Sequence, residues 1–341
     1  MKDDVDEETE DGTLGSIAPL STNDYVRKYD NKFKYALIDY QVMGSFNSCC
    51  TGEVINGYVS LDALQIVLEH GVRFLDFEIY LKNNKVVVAA GRNNVYMKDT
   101  YNELEIGKVL SHVKKIGING VSNGTDPLIL NFRIMSKNPA VYHILEKKIT
   151  EHLGNYLVNR DFGFGGSNKK DKERNIVFAP FDKLKNKVII FVDDARQTFL
   201  EHRKFLELVN GYTGSGGNLL KYSNYQIQNE GTPTTYKTET KMKFCMTTPN
   251  VMDKMNSNWS MHHKYGCQGV LMNFGAGYND GNMKSYKMHF KEQQKAFLLK
   301  PTELLRRRLE VRQPTNTPHS MAMTIAYGPD FAGVPTVGPG V

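Results

Sequence analysis

Apolar and polar positions change period repeatedly along the chain. Tyr35-Ala36-Leu37-Ile38-Asp39-Tyr40 reads as a strand, and Leu61, Leu64, Val67 and Leu68 then line one face of a helix. Ser60 is an N-cap for that helix and His70-Gly71 its end. Residues 72–80 follow as a strand, and an Asn83-Asn84 turn leads to a third strand at 85–90. Ile106, Val109, Leu110 and Val113 fall at i, i+3, i+4 and i+7, which predicts a helix before a strand at Leu128-Ile129-Leu130-Asn131-Phe132. A further helix spans 139–153, with Pro139 at its start and Gly154 at its end. Lys187-Val188-Ile189-Ile190-Phe191-Val192 has no polar face, as a strand buried on both sides requires. Alternation of this kind predicts an α/β fold with a parallel sheet, closed or open.

Two stretches break the pattern. Phe162-Gly163-Phe164-Gly165-Gly166, followed by Lys169, Lys170, Lys172 and Arg174, is expected to be an exposed loop, and residues 211–240, rich in Gly, Ser, Thr, Asn and Tyr, a long linker. Residues 1–22 read as a mobile acidic arm. Residues 313–341 carry a single charged side chain, Asp330, and five prolines, which exclude a long helix. With Met321, Met323, Ile325, Tyr327 and Phe331 this tail is expected to be an extended arm lying on its own barrel or on a neighbouring subunit.

The formal charge of +6 hides a division. Residues 1–13 sum to −6, so the remainder is +12. A basic body suits an anionic membrane or another phosphate-bearing surface, and equally a surface of scattered solvated lysines. No aromatic-interleaved basic stripe points to sequence-specific nucleic-acid reading. Nothing reads as a secretory signal or reaches the ~18 apolar residues of a membrane span, so an intracellular protein, soluble or peripheral, is expected. Cys49, Cys50, Cys245 and Cys267 lack metal-ligand spacing and read as buried reduced thiols.

Gly44-Ser45-Phe46-Asn47-Ser48, Arg73-Phe74-Leu75-Asp76-Phe77-Glu78 and Val86-Val87-Val88-Ala89-Ala90-Gly91 follow one another in an order and spacing that resembles the opening of the X region of eukaryotic-type phosphoinositide-specific phospholipase C. Gly266-Cys267-Gln268-Gly269-Val270-Leu271-Met272-Asn273-Phe274 and Phe297-Leu298-Leu299-Lys300-Pro301 are similar to the end of its Y region. The resemblance covers roughly residues 34–306 and implies a distorted (β/α)8 TIM-type barrel of the phospholipase C-like phosphodiesterase superfamily, its site at the C-terminal ends of the strands. It divides the chain into the acidic arm at 1–22, a barrel at 23–306 and a tail at 307–341. Within the barrel the X-like half lies at about 34–195, a linker at about 211–240 and the Y-like half at about 241–306, with the last helix beginning at 302–308.

In that family, calcium held by carboxylates and an Asn activates the inositol 2-hydroxyl, and two histidines serve the transition state and the leaving group. The resemblance carries the histidine positions onto Phe46 and Ala90, and the vestigial metal-site positions onto Asn47, Asp76, Glu78 and Arg133. Arg133 stands where the family has its last calcium carboxylate, so no cofactor is expected and Arg133 is expected to pair with Asp76 or Glu78. The family's paired lysines align with Phe191 and Asp193, and its Ser-Arg-x-Tyr-Pro segment with Cys245-Met246-Thr247-Thr248-Pro249. Losing two histidines worth about 10² to 10⁴ each leaves little catalysis to expect.

Metal-independent bacterial relatives place an arginine near the calcium position but keep both histidines. The histidines available here are His70, His112, His143, His152, His202, His262, His263, His289 and His319, each read as a surface or core residue. Asp193-Asp194 offers either a new carboxylate site or a helix N-cap. Arg306, Arg307 and Arg308 are candidate phosphate contacts or complement a helix dipole. The expectation is a catalytically inactive phospholipase C-like barrel serving as a structural or interaction protein. It would take protein partners through its tail and belong to a larger assembly, a virion or assembly component of a large DNA virus. The alternatives are an active phosphoric diester hydrolase on phosphatidylinositol lipids with a rearranged, metal-independent site, and a lipid sensor that binds inositol headgroups without cleavage.

Overall fold

A computed structural model describes residues 35–92, 97–164, 175–250, 253, 255–276 and 279–306, and in it the alternation of strands and helices builds a parallel barrel. The first half contains β1 (Tyr40–Ser45), α1 (Leu61–Glu69), β2 (Phe74–Lys82), β3 (Lys85–Ala89), β4 (Leu104–Glu105), α2 (Ile106–His112), β5 (Leu128–Ile134), α3 (Ala140–Leu153) and β6 (Val188–Asp193). After α4 (Arg203–Leu206), the second half adds β7 (Gly211–Tyr212), β8 (Leu219–Ser223), α5 (Asn224–Asn229), α6 (Pro233–Glu239), β9 (Phe244–Thr248), α7 (Trp259–Lys264), β10 (Gly269–Met272), α8 (Gly281–Gln293) and β11 (Phe297–Leu299).

Eight parallel strands run in the order β7-β6-β5-β2-β1-β10-β9-β8. The β1–β10 pairing, which sets Val42 opposite Gly269, joins the two halves of the chain; among the described residues no ladder joins β7 to β8, so the barrel is nearly closed. β3 returns antiparallel along β2 through Asn83 and Asn84, both left-handed (φ 49° and 58°), the geometry of the hairpin turn that asparagine tolerates. Ser60 caps α1 by accepting from the backbone N–H of Asp62, and Leu64, Val67 and Leu68 are its buried face. Inside the barrel Phe74, Phe191 and Phe244 meet edge to face, with centroids 5.2–5.9 Å apart. Gly269 leaves room for them, since a Cβ there would fall 2.4 Å from Phe74.

Three expectations are corrected. The segment 35–40 is not a strand: Leu37–Asp39 is a 3-10 turn and the strand starts at Tyr40. The Asp39 carboxylate causes this, accepting from Ala36 N and Arg306 N at 2.9 Å each and so curling the chain on itself. Residues 211–240 are not a linker but barrel, comprising β7, β8, α5 and α6, so the second half begins at Gly211 rather than 241. Their polar residues are caps: Ser223 and Gln226 form a capping box on α5, and Thr232 caps α6 with Pro233 in its first turn. Gly214 and Gly216 supply the left-handed turn between β7 and β8. The helix expected from 302 is a single 3-10 turn, Thr302–Leu304.

The acidic arm, the basic loop at 169–174, Arg307, Arg308 and the tail lie outside the described residues. No helix among the described residues is long and apolar enough to cross a membrane.

Candidate functional site

Strand register alone assembles the site. β2 and β5 pair with Asp76 opposite Asn131 and Glu78 opposite Arg133, and β6 sets Asp193 opposite Arg133. Side chains two apart on a strand share a face, so Glu78, Arg133 and Asp193 form one tier at the C-terminal end of the barrel, with Asp76 and Asn131 in the tier beneath. Lys221 of β8 extends the upper tier, its Nζ 2.5 Å from Asp193 Oδ2. The mouth is thus ringed by charges of alternating sign.

Arg133, 2% exposed, is the hub. Its Nε donates to both Asp76 oxygens at 3.1 Å, one terminal nitrogen reaches Glu78 Oε1 at 2.6 Å, and the other lies 2.9 Å from Asp76 Oδ2 and donates to Asn47 Oδ1. The Phe46 ring packs against the guanidinium, 4.4 Å from Cζ to centroid. Asn47 takes a left-handed backbone (φ 45°) two residues past the end of β1, which aims its side chain at Arg133 while its N–H donates to Asp76 Oδ2 at 3.1 Å. Asp76 Oδ1 accepts from Asn131 Nδ2 at 2.7 Å; Glu78 Oε2 accepts from the Tyr80 hydroxyl and from Gly91 N–H, each at 2.7 Å. Asp76 and Glu78 are both wholly buried.

Burial works against the charge on Arg133, yet the two carboxylates outweigh it and hold its pKa above the ordinary guanidinium value. One cation serves two acids, so burial raises the Glu78 pKa against the opposing pull of Arg133 and the Tyr80 hydroxyl. Burial also disfavours the Asp193 carboxylate, but Lys221 and the Thr213 hydroxyl hold it below the usual range. The expected pairing of Arg133 is realised with both acids rather than one.

Phe46 and Ala90 are buried, 2% and 0% exposed, and Asp99 N–H and Thr100 N–H close over the Ala90 carbonyl. The eight described histidines all lie on the outer helices or at their ends: His70 ends α1, His112 is on α2, His143 and His152 on α3, His202 precedes α4, His262 and His263 are on α7 and His289 on α8. None reaches the mouth. Asp194 binds the Tyr142 hydroxyl and Arg196 N–H, a turn-capping role. Arg306 is at the opposite end of the barrel, stacked 3.6 Å over Phe178, and does not join the cluster. Asp193 joins the site as a carboxylate, whereas Asn131, Tyr80, the Gly91 N–H and Lys221 are site components that the sequence does not single out; for Asn131 a signal is available, since it sits two residues before Arg133 on a strand with no exposed face.

Residues 33–193 match the family described as phosphatidylinositol-specific phospholipase C, X domain. The fold is that of the phospholipase C-type (β/α) barrels. PLC21 of L. pealei superposes with a TM-score of 0.64 at 18% identity, over 80% of this chain and 38% of that one; PLC21 of S. officinalis does so with 0.63 at 19%, over 82% and 38%. The calcium-dependent phosphoinositol-specific phospholipase C from a Pseudomonas sp. gives 0.50 at 9%, over 78% and 95%. Over residues 33–193 the chain is similar to the phosphatidylinositol-specific phospholipase C family. It spans 38% of the length of either PLC21, and no curated protein matches it.

Proposed function

We propose that this is a phospholipase C-type barrel without phosphodiesterase activity, retained as a structural or interaction module. The observation that carries the reading is Arg133, whose guanidinium engages Asp76, Glu78 and Asn47 at once. A divalent cation does not fit there: the oxygens that would ligate it already accept from a buried cation of fixed position, and two like charges cannot share that space. Acid–base chemistry lacks its groups as well, since a phenyl ring and a methyl group stand where the family has its two histidines. Lys221 is already paired with Asp193, which takes that cation away from a phosphate. What persists is a rigid barrel with a charge-compensated mouth, suited to presenting surfaces to protein partners within an assembly.

The test is release of water-soluble phosphate product from phosphatidylinositol and its phosphorylated forms, at high protein concentration, with and without calcium. The expected result is no product above buffer. Product that disappears in Arg133→Ala would establish the opposite reading, an active hydrolase with a rearranged site.

A further inference from the structure

Cys245 lies on β9 and Cys267 just before β10, and their Sγ atoms are 3.5 Å apart with neither side chain exposed. The β9–β10 register sets Met246 opposite Gly269, which places Cys267 one residue from the position facing Cys245. Gln268 pins both backbones there: its N–H donates to the Cys245 carbonyl at 3.0 Å and its Oε1 accepts from Cys245 N–H at 2.7 Å. The sulfurs need to close from 3.5 Å to about 2.05 Å to bond, a shift within side-chain rotation. Their surroundings, Ile227 and Tyr236 with Leu220, Tyr222 and Tyr265 beside them, are apolar or aromatic.

Two charged groups act on this apolar site, Lys300 and Glu239, the latter accepting from the Tyr222 hydroxyl at 2.5 Å. Lys300 is 2% exposed, donates to the Thr240 carbonyl at 3.2 Å, and lies close enough to both thiols and to Asp39 to feel their charge. Burial lowers its pKa to about 8, while burial, Cys267 and Glu239 raise the Cys245 thiol well above its ordinary value and Lys300 pulls against them. A buried lysine is costly unless something uses it. The other two thiols, Cys49 and Cys50, are adjacent in sequence and have no such lysine acting on them.

We propose that Cys245 and Cys267 form a covalent modification site, a dithiol that a hydroperoxide closes to a disulfide while Lys300 carries the thiol proton. The Lys300 amine takes the proton from one thiol, and the thiolate attacks the peroxide O–O bond. A sulfenic acid forms, and the departing alkoxide or hydroxide leaves as alcohol or water with the proton from Lys300. The second sulfur then attacks the sulfenic sulfur, the S–S bond forms, and hydroxide leaves as water with the second thiol's proton. Two thiols lose two electrons and the hydroperoxide gains them. A small peroxide is favoured over a bulky organic disulfide because neither sulfur has accessible surface. Closure ties β9 to the entry of β10 and so locks two strands of the barrel's second half.

The full chain is treated with hydrogen peroxide, its remaining thiols are alkylated in denaturant, and its peptides are mapped without reductant. The expected result is loss of two of the four alkylatable thiols, a Cys245–Cys267 cross-link, and a thermal midpoint that rises and falls back with reductant. Lys300→Met is expected to slow closure tenfold or more at pH 7, and in the unaltered chain the closure rate should climb through about pH 8. Sulfinic acid at either cysteine without a cross-link would overturn the site. So would both thiols surviving a dose that oxidises them in the unfolded chain. A closure rate flat from about pH 6 to 9 would remove Lys300 from the step.

Discussion

Replacing Arg133 with methionine keeps its bulk near Phe46 but leaves Asp76 and Glu78 buried without a countercharge. The expected loss is about 3–5 kcal/mol, read from urea denaturation, because stranding buried charge costs more than the pair was worth. Loss under about 1 kcal/mol would mean that the carboxylates simply take up protons and that the cluster holds nothing together. At this scale much of the site was legible: Asn47, Asp76, Glu78 and Arg133 come together as the motif order implied. Three contributions were not legible, for different reasons. Gly91 acts through a backbone N–H, which no residue type encodes. Tyr80 stands two positions from Glu78 on the same face of its own strand, a placement that alternation allows but that does not by itself specify a hydrogen bond. Lys221 meets Asp193 only because β8 comes round beside the mouth, and β8 had been read as loop.

Among the elements, β10 depends on Gly269, so Gly269→Ala is expected to cost about 1–3 kcal/mol by forcing Phe74 out of its rotamer, measurable as a lowered denaturation midpoint. Helix α7 carries a pH dependence. His262 and His263 are buried and neutral; burial pushes His262 down to about 4, and burial with His289, His262 and Lys300 nearby pushes His263 well below its ordinary 6.5. His70 at the end of α1 is likewise lowered to about 4, by burial and by Lys287 and Lys291. The folded chain therefore binds fewer protons than the unfolded one below pH 6.5. The stability these groups confer is complete above pH 6.5 and drains away as pH falls towards about 4. Neither ring nitrogen of His263 has a hydrogen-bond partner, so His263→Phe is expected to add about 1–2 kcal/mol at pH 7 and to flatten the acid limb of the stability curve. An unchanged acid limb would place the titration elsewhere. Elements with a long apolar face, α1, α3 and β6, were legible from periodicity. The short capped helices α5 and α6 were not, because six- and seven-residue helices rich in Asn, Gln and Thr are compositionally the same as loop.

Taken whole, the molecule follows the path of a phospholipase C barrel, with a guanidinium and a phenyl ring packed together at its mouth. The barrel could be inferred because two groups of weak motifs stood in the right order, and the eight-strand path with its single open seam follows that inference. The central claim is that Arg133 stands in the place of a metal, and calcium titration by calorimetry tests it most directly. The unaltered chain is expected to show no binding heat beyond dilution, whereas Arg133→Glu, which restores an acid at that position, should bind calcium and gain thermal stability from it. Stoichiometric calcium binding by the unaltered chain, abolished by Asp76→Asn, would contradict the account.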